Sequence, residues 1–379
     1  MTTSPYPLKT LLGGLSPERF LAEYWQKKPL LVRQAIPGFQ GLIGRAELFD
    51  LACRDDAESR LLRATRGRST LDHGPFEPET LATLPKRGWS LLVQGVNHFL
   101  PAADRLLHSF SFAPYARLDD LMVSFAPDGG GVGPHFDSYD VFLIQGLGRR
   151  RWGISAQTDL ELVDGAPLRI LKRFQVEQAW ELGPGDMLYL PPKYAHNGIA
   201  LGDCMTYSVG FRAPSSQEIA TQFLVYLQDK LALAGRYADP RLKRPRHRAE
   251  IGGEMLQQIE AMIAKIHWKR TDILDFAGRY LSEPKAHIFF DSPTRPLGPA
   301  VFRKQAEKHG LHLDSRTLLL FQGSQFFLNG ESLRTDPKTA AMLRKLADTR
   351  RLEATALTDE LAGILYEWYR LGYLHPGPR

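Results

Sequence analysis

The chain has 379 residues, 43% of them hydrophobic and 24% charged, the balance of an ordinary globular protein with two or three domains. No stretch approaches the ~18 consecutive apolar residues of a membrane span, and the opening MTTSPYPLKTLLGG lacks the basic-then-apolar pattern of a secretory signal; a cytoplasmic protein with no membrane partner is expected. Two distant cysteines, Cys53 and Cys204, exclude a disulfide framework or zinc knuckle, and a formal charge of +6 with one dense basic run at 243–248 (KRPRHR) leaves nucleic-acid contact open.

In chain order, SPERFLAEYWQKKPLLV offers Ser16 as an N-cap, Pro17 at the first helical position, and Phe20, Leu21, Tyr24 and Trp25 on one face. That predicts an amphipathic entry helix. Between 89 and 214 the texture changes. Short β-rich runs (WSLLVQ, DDLMVSFA, YDVFLIQ, RRWGI, DMLYLPP, TYSVGF) alternate with Gly/Pro turns, the pattern of an antiparallel sandwich or barrel. After Pro214 helices follow: one with Ser215 and Glu218 in capping-box register, one with Met255, Ile259, Met262 and Ile266 on a stripe, and one from about Thr271. Their apolar stripes suit burial against a second copy. A Pro-rich stretch at 293–299 reads as a linker, and the tail shows a helix, an Asn329-Gly330 hairpin and two more helices, in the manner of a small winged helix. The predicted domains are 1–214 (catalytic, with an N-terminal extension), 215–292 (helical) and 293–379 (winged-helix-like).

His135-Phe136-Asp137 places two metal-ligating side chains on one face of a strand, because side chains alternate with a period of two. The spacing alone is common, and His312-Leu313-Asp314 fits it too; that second pair reads as an exposed pair beside a turn. What sets the first pair apart is its context. GGGVGP precedes it and can cross a barrel mouth without side-chain bulk, and His196 follows after GPGDMLYLPP, on a loop able to swing back toward the interior. Two histidines and a carboxylate make the facial triad of non-haem Fe(II) oxygenases; manganese accepts the same ligands.

In RRRWGI, strand parity points Arg150, Trp152 and Ile154 inward. A guanidinium in an apolar barrel needs an anion, and no acidic residue shares that local parity, so the carboxylate of a ligand such as 2-oxoglutarate is the natural partner. On neighbouring strands, Asp120, Met122, Ser124 and Ala126 share one side, as do Cys204, Thr206, Ser208 and Gly210. These small or polar faces suit a hollow barrel with a reaction chamber.

FLAEYWQKKPLLV, WSLLVQGVNHF, DDLMVSF, GGGVGPHFDSYDVFLIQGLGRRRW, LGPGDMLYLPP and YSVGFRAP together resemble the bacterial ribosomal oxygenases of the JmjC type, which hydroxylate an arginine of large-subunit ribosomal protein sixteen. The resemblance runs along most of the chain and weakens in the C-terminal third. It implies an α+β protein: a double-stranded β-helix (cupin/JmjC) barrel, a helical dimerisation region and a C-terminal winged-helix-like module. It further implies Fe(II) on His135, Asp137 and His196, 2-oxoglutarate on Arg150 with the Ser124 hydroxyl, dioxygen as cosubstrate, and a ribosomal-protein arginine packed on Tyr139 and bonded by Asp120 and Ser208. A homodimer is implied as well. Phe136 and Ser138 depart from the family pattern and are expected to point away from the metal and to tolerate change. The rival readings are histidine hydroxylation or lysine demethylation on the same fold, and a metal-binding cupin that regulates without redox chemistry; a buried Arg150 disfavours the last.

Overall fold

The β-rich runs assemble into one antiparallel sheet because each alternates an apolar side with a small or polar one, and only pairing satisfies their backbone groups. The computed structural model describes residues 6–65, 68–166 and 168–377. Its strands are β1 (Leu30–Val32), β2 (Ser59–Thr65), β3 (Arg68–His73), β4 (Trp89–Val93), β5 (Leu118–Ala126), β6 (Val141–Ser155), β7 (Gln178–Leu182), β8 (Met187–Leu190) and β9 (Ala195–Phe211). They run in the order β1-β8-β6-β9-β5-β4-β2-β3, with β7 added to β6.

Two long strands carry the sheet. YDVFLIQ and RRWGI, read as separate runs, are one strand of fifteen residues, paired with β9 from Val141↔Gly210 to Ser155↔Ala195. Register shifts between Gln145, Leu147 and Arg149 bend the pair. Gly148 sits at this bend with φ +62°, where a Cβ would lie 2.0 Å from the Asp203 carbonyl oxygen, so only glycine fits. Before the bend β6 pairs with β8, and after it with β7. The curled ribbon therefore has one side packed on the core and another around a cavity.

The packed side is aromatic. Ser16 caps the helix Pro17–Glu23 by accepting the Arg19 N–H at 3.3 Å, and this helix delivers fully buried Phe20 to rings of Tyr189 and Phe142 at centroid distances of 5.0 and 5.6 Å. Ring pairs at such distances add to the burial of the apolar area itself.

Two compact units divide the described chain. The first holds residues 6–213, 284–318 and 341–377, and the second holds 214–283 and 319–340. The second contains the helices Ser216–Lys230, Gly253–Ile263 and Arg270–Ser282 and the three-stranded sheet of β11 (Leu319–Gln322), β12 (Gln325–Leu328) and β13 (Glu331–Arg334). Ser215 caps the first helix through the Glu218 N–H, and Asn329 and Gly330 turn the β12–β13 hairpin with φ of 49° and 89°. Gly278 lets the Phe327 ring lie directly on the helix Arg270–Ser282. The helix Gly253–Ile263 has no buried residue and exposes Met255, Leu256, Ile259 and Ile263.

In the first unit β10 (Leu311–Leu313) pairs with β14 (Arg351–Leu352) and β15 (Leu374–Pro376). The segment after 293 is thus shared: β11–β13 cluster with the preceding helices, while β10, β14 and β15 belong with the first unit. The pair His312 and Asp314 is no exposed turn, contrary to the sequence reading. Asp314 is buried and accepts from Arg316 and from His375 Nε2 at 3.0 Å, and despite burial these hydrogen bonds and the Arg316 charge bring its carboxyl well below the usual range. It is an ion-pair node that ties β10 to β15.

Candidate metal centre and substrate cavity

Gly130 and Gly131 bring the chain across the sheet at distances no side chain allows: a Cβ would lie 2.1 Å from the Trp89 carbonyl oxygen at the first and 2.4 Å from that of Gly198 at the second. His135 then forms an isolated bridge between His196 and Ile170 rather than part of a regular strand. Its backbone exchanges both hydrogen bonds with His196, at 2.9 and 2.8 Å. His196 itself is the second residue of β9, not a loop residue as the double proline suggested. Strand β9 begins only three residues after Pro192, so the ligand is held by sheet hydrogen bonds.

The ligand atoms of His135, Asp137 and His196 lie within 4.8 Å of one another, and among the described residues no other cluster of three such groups does. His196 Nε2 is 3.7 Å from Asp137 Oδ2. Each imidazole donates from Nδ1 to a backbone carbonyl two residues earlier: His135 to Gly133 at 2.8 Å, and His196 to Tyr194 at 2.9 Å. A carbonyl only accepts, so the proton is fixed on Nδ1 and both Nε2 lone pairs are left for a metal. Burial, then the neighbouring His135, pushes the His196 pKa down to about 4, which keeps the ring neutral. Two imidazoles that offer Nε2 and a carboxylate fit a divalent first-row ion such as Fe(II).

Phe136 is buried with Leu171 and Ala195, the Arg169 guanidinium lies over its ring, and it also lines the pocket that holds the triad. It supports the loop that carries Ile170 and Leu171, so the tolerance expected at this position does not fit its burial. Ser138 accepts a long hydrogen bond from Arg169.

A cavity of about 300 Å³ opens beside the triad, and Asp120, Ser124, Tyr139, Arg150 and Ser208 all line it. Arg150 is 3% exposed, and among the described residues its Nε and Nη2 have no hydrogen-bond partner. Trp152 Nε1 in the same wall is also unpartnered. Buried donors of this kind are rare unless a ligand completes them. Ser124 directs its hydroxyl at the Thr206 carbonyl over a long 3.5 Å. Thr206 also lines the cavity, its hydroxyl held by Gln145 at 3.1 Å.

The cavity mouth is acidic. Asp120 is 6% exposed, and its Oδ2 accepts from the Gly95 N–H at 3.1 Å and from Gln94 Nε2 at 3.3 Å. Tyr139 stands near it, 41% exposed; desolvation of its hydroxyl, then the Asp137 and Asp120 charges, raise its pKa and keep it a phenol. Sequence reasoning missed four residues here. Asp119, adjacent to Asp120, should face the opposite side by parity, but a register shift between Leu118 and Leu121 brings both carboxylates to the mouth. Arg60 and Gln94 arrive from β2 and the end of β4, with Arg60 Nη2 donating to Gln94 Oε1 at 2.6 Å. Lys285 reaches Asp119 Oδ1 at 2.9 Å. Nothing local in the sequence marks these distant partners.

A curled antiparallel barrel with a His-Asp-His centre and an unpaired buried arginine in the same cavity defines a non-haem metal oxygenase of the cupin class. The family profile described as "JmjC domain" matches residues 105–219, and a "ROXA-like winged helix" profile matches residues 261–375. The chain is 33% identical over 344 residues, 90% of its length and 91% of the relative's, to "Ribosomal protein uL16 3-hydroxylase" of Escherichia coli (strain K12). It superposes with a TM-score of 0.83 and 32% identity on the X-ray structure of E. coli ycfD, covering 95% of this chain and 98% of that one. A structure of that ribosomal oxygenase in complex with cobalt and 2-oxoglutarate matches with a TM-score of 0.80 and 33% identity, covering 95% and 98%. The chain belongs to the JmjC-type ribosomal oxygenases.

Proposed function

We propose that this enzyme uses Fe(II), 2-oxoglutarate and dioxygen to hydroxylate an arginine side chain of large-subunit ribosomal protein uL16. The observation that carries this reading is the single cavity in which the metal triad, the unpartnered Arg150 and the acidic mouth around Asp120 meet. His135, Asp137 and His196 hold the metal. Arg150, with Ser124, pairs with the far carboxylate of 2-oxoglutarate, since a planar guanidinium suits a carboxylate bidentately. Iron held by His135, Asp137 and His196 would supply oxidation chemistry in which one oxygen atom of dioxygen enters a substrate C–H bond and the other enters succinate, with loss of carbon dioxide from 2-oxoglutarate.

This chain's own residues supply placement. Asp120 and Ser208 bond the guanidinium of the substrate, and the Tyr139 ring covers its aliphatic stem, so that one C–H bond is aimed at the metal. The Asp120 carboxylate in the cavity wall favours a cation over a neutral imidazole, which ranks a histidine substrate second. We further infer a cytoplasmic homodimer, formed through the exposed apolar faces of the helices Ser216–Lys230 and Gly253–Ile263; light scattering on the eluted protein tests that state. No helix among the described residues is long and apolar enough to cross a membrane.

Anaerobic reconstitution with Fe(II) and 2-oxoglutarate, followed by air and a uL16 fragment containing the arginine, tests the activity. Succinate and a one-oxygen mass gain, both lost in His135→Ala, are expected. Succinate without the mass gain sends the search to another substrate, and the absence of both signals overturns the enzyme reading.

A further inference from the structure

The Asp119–Asp120 pair poses an electrostatic problem that the mouth solves with one residue. Neighbouring carboxylates at a partly dry surface repel, and one of them ordinarily takes up a proton. Here Lys285 lies 2.9 Å from Asp119 Oδ1 and 3.8 Å from Asp120 Oδ2. The Asp119 carboxyl is raised by burial and by Asp120, and Lys285 and Arg212 oppose the rise. Burial pulls the Lys285 ammonium down, but its pKa is raised on balance by Asp120 and Asp119. The lysine is therefore a committed cation.

The direction of approach decides what Lys285 does. The Gly95 N–H, Gln94 Nε2 and the lysine all address Asp120 Oδ2. No hydrogen bond from a described residue reaches Oδ1, which lies 3.9 Å from where a Cβ on Gly210 would stand, close to the Tyr139 ring. Gly210 and Tyr139 both line the cavity. Lys285 approaches on the Oδ2 side and does not itself line the cavity, whereas Asp119 and Asp120 both do. The other groups near this cluster are Arg60, which donates to Gln94, Arg212, which acts on Asp119, Glu58, which acts on Lys285, and His98, whose ring Lys285 helps keep neutral; Tyr139 stays a neutral phenol.

We propose that Lys285, clamped by Asp119, is a positioning and specificity residue: it neutralises Asp119, anchors Asp120 on its Oδ2 side, and leaves one carboxylate oxygen presented to an incoming cationic side chain. The proposal rests on the arginine-hydroxylase reading and names what makes that pocket selective.

The test uses the full-length enzyme and a uL16 arginine peptide, comparing Lys285→Met, Lys285→Arg, and Lys285→Met combined with Asp119→Asn. Lys285→Met is expected to raise KM for the peptide by about tenfold or more with a much smaller effect on kcat, as for loss of one partner of a desolvated charge pair. It also moves the acid limb of kcat/KM to higher pH, because the carboxylate pair takes up its proton earlier as pH falls. Lys285→Arg restores both, and the double variant recovers most of the loss, since the repelling Asp119 charge is gone too. A lower KM in Lys285→Met would make the lysine a placeholder that competes with substrate, and so overturn the proposal. An unmoved pH profile, or no recovery in the double variant, would overturn it as well. Carboxyl-carbon NMR of Asp119 and Asp120 separates the two levels: if wild type fails to hydroxylate the peptide, the function reading fails, while an unchanged titration in Lys285→Met defeats the proposal for any substrate.

Discussion

Replacing Arg150 with methionine should separate ligand binding from folding in opposite directions. The side chain is 3% exposed, and two of its donor nitrogens, Nε and Nη2, are buried without partners among the described residues. Each such donor costs about 1–3 kcal/mol, offset in part by the loose cation–π contact with Trp152 at 5.7 Å, worth about 0.5–1 kcal/mol. Methionine of similar length fills the space without donors, so the ligand-free protein should gain about 2 kcal/mol, or roughly 3 °C in Tm for a unit of this size. The same change removes the partner of the 2-oxoglutarate carboxylate. Breaking a buried pair in this way costs about 3–5 kcal/mol, so affinity should fall at least about 100-fold. Calorimetric titration of the Mn(II)-loaded protein with 2-oxoglutarate, alongside melts of the metal-free protein, reads both effects. Arg150 is no metal ligand, so Mn(II) binding should be unchanged. A variant that melts lower and keeps its 2-oxoglutarate affinity would show that the guanidinium is a structural group with partners of its own.

Asp120→Ala should abolish hydroxylation of the arginine peptide while leaving Mn(II) affinity intact, and full turnover would remove Asp120 from substrate binding. Phe136→Ala should cost about 3–5 kcal/mol, because the ring is buried with Leu171 and Ala195; denaturant melts within 1 kcal/mol of wild type would restore the tolerance expected from the sequence. His98 is held at a pKa of about 4 by burial above all, with Asp104 opposing and Lys285 adding to the shift. Its folded pKa lies below the unfolded value near 6.5, so the unfolded chain binds the extra proton and stability falls as pH drops through that window. At pH 5.5 the loss is about 1.4 kcal/mol. Urea melts at pH 7.5 and 5.5 should therefore show a flatter dependence for His98→Gln than for wild type, and equal slopes would contradict the assignment.

Faces of strands are legible in a sequence because side-chain alternation is a local rule. It put Asp120 and Ser124 on one side of β5, Thr206 and Ser208 on one side of β9, and Arg150 with Trp152 on one side of β6, and all six line the cavity. The His-x-Asp spacing and the glycine run before it are local too, and so are the Ser16 and Ser215 caps and the Asn329-Gly330 turn.

Tertiary structure decided what depends on pairing and bending. It joined two runs into β6, because the bulges at Gln145–Arg149 bend the strand without ending it. It drew His196 into β9 through the bridge to His135, and it divided the segment after 293 between two units. A bulge in β5 overrode parity at Asp119. Lys285, far along the chain, became that residue's partner because a buried pair of like charges takes its counter-ion from whatever segment the fold brings within a few ångströms. Periodicity fixes which way a side chain points; only the closed fold fixes what it meets there.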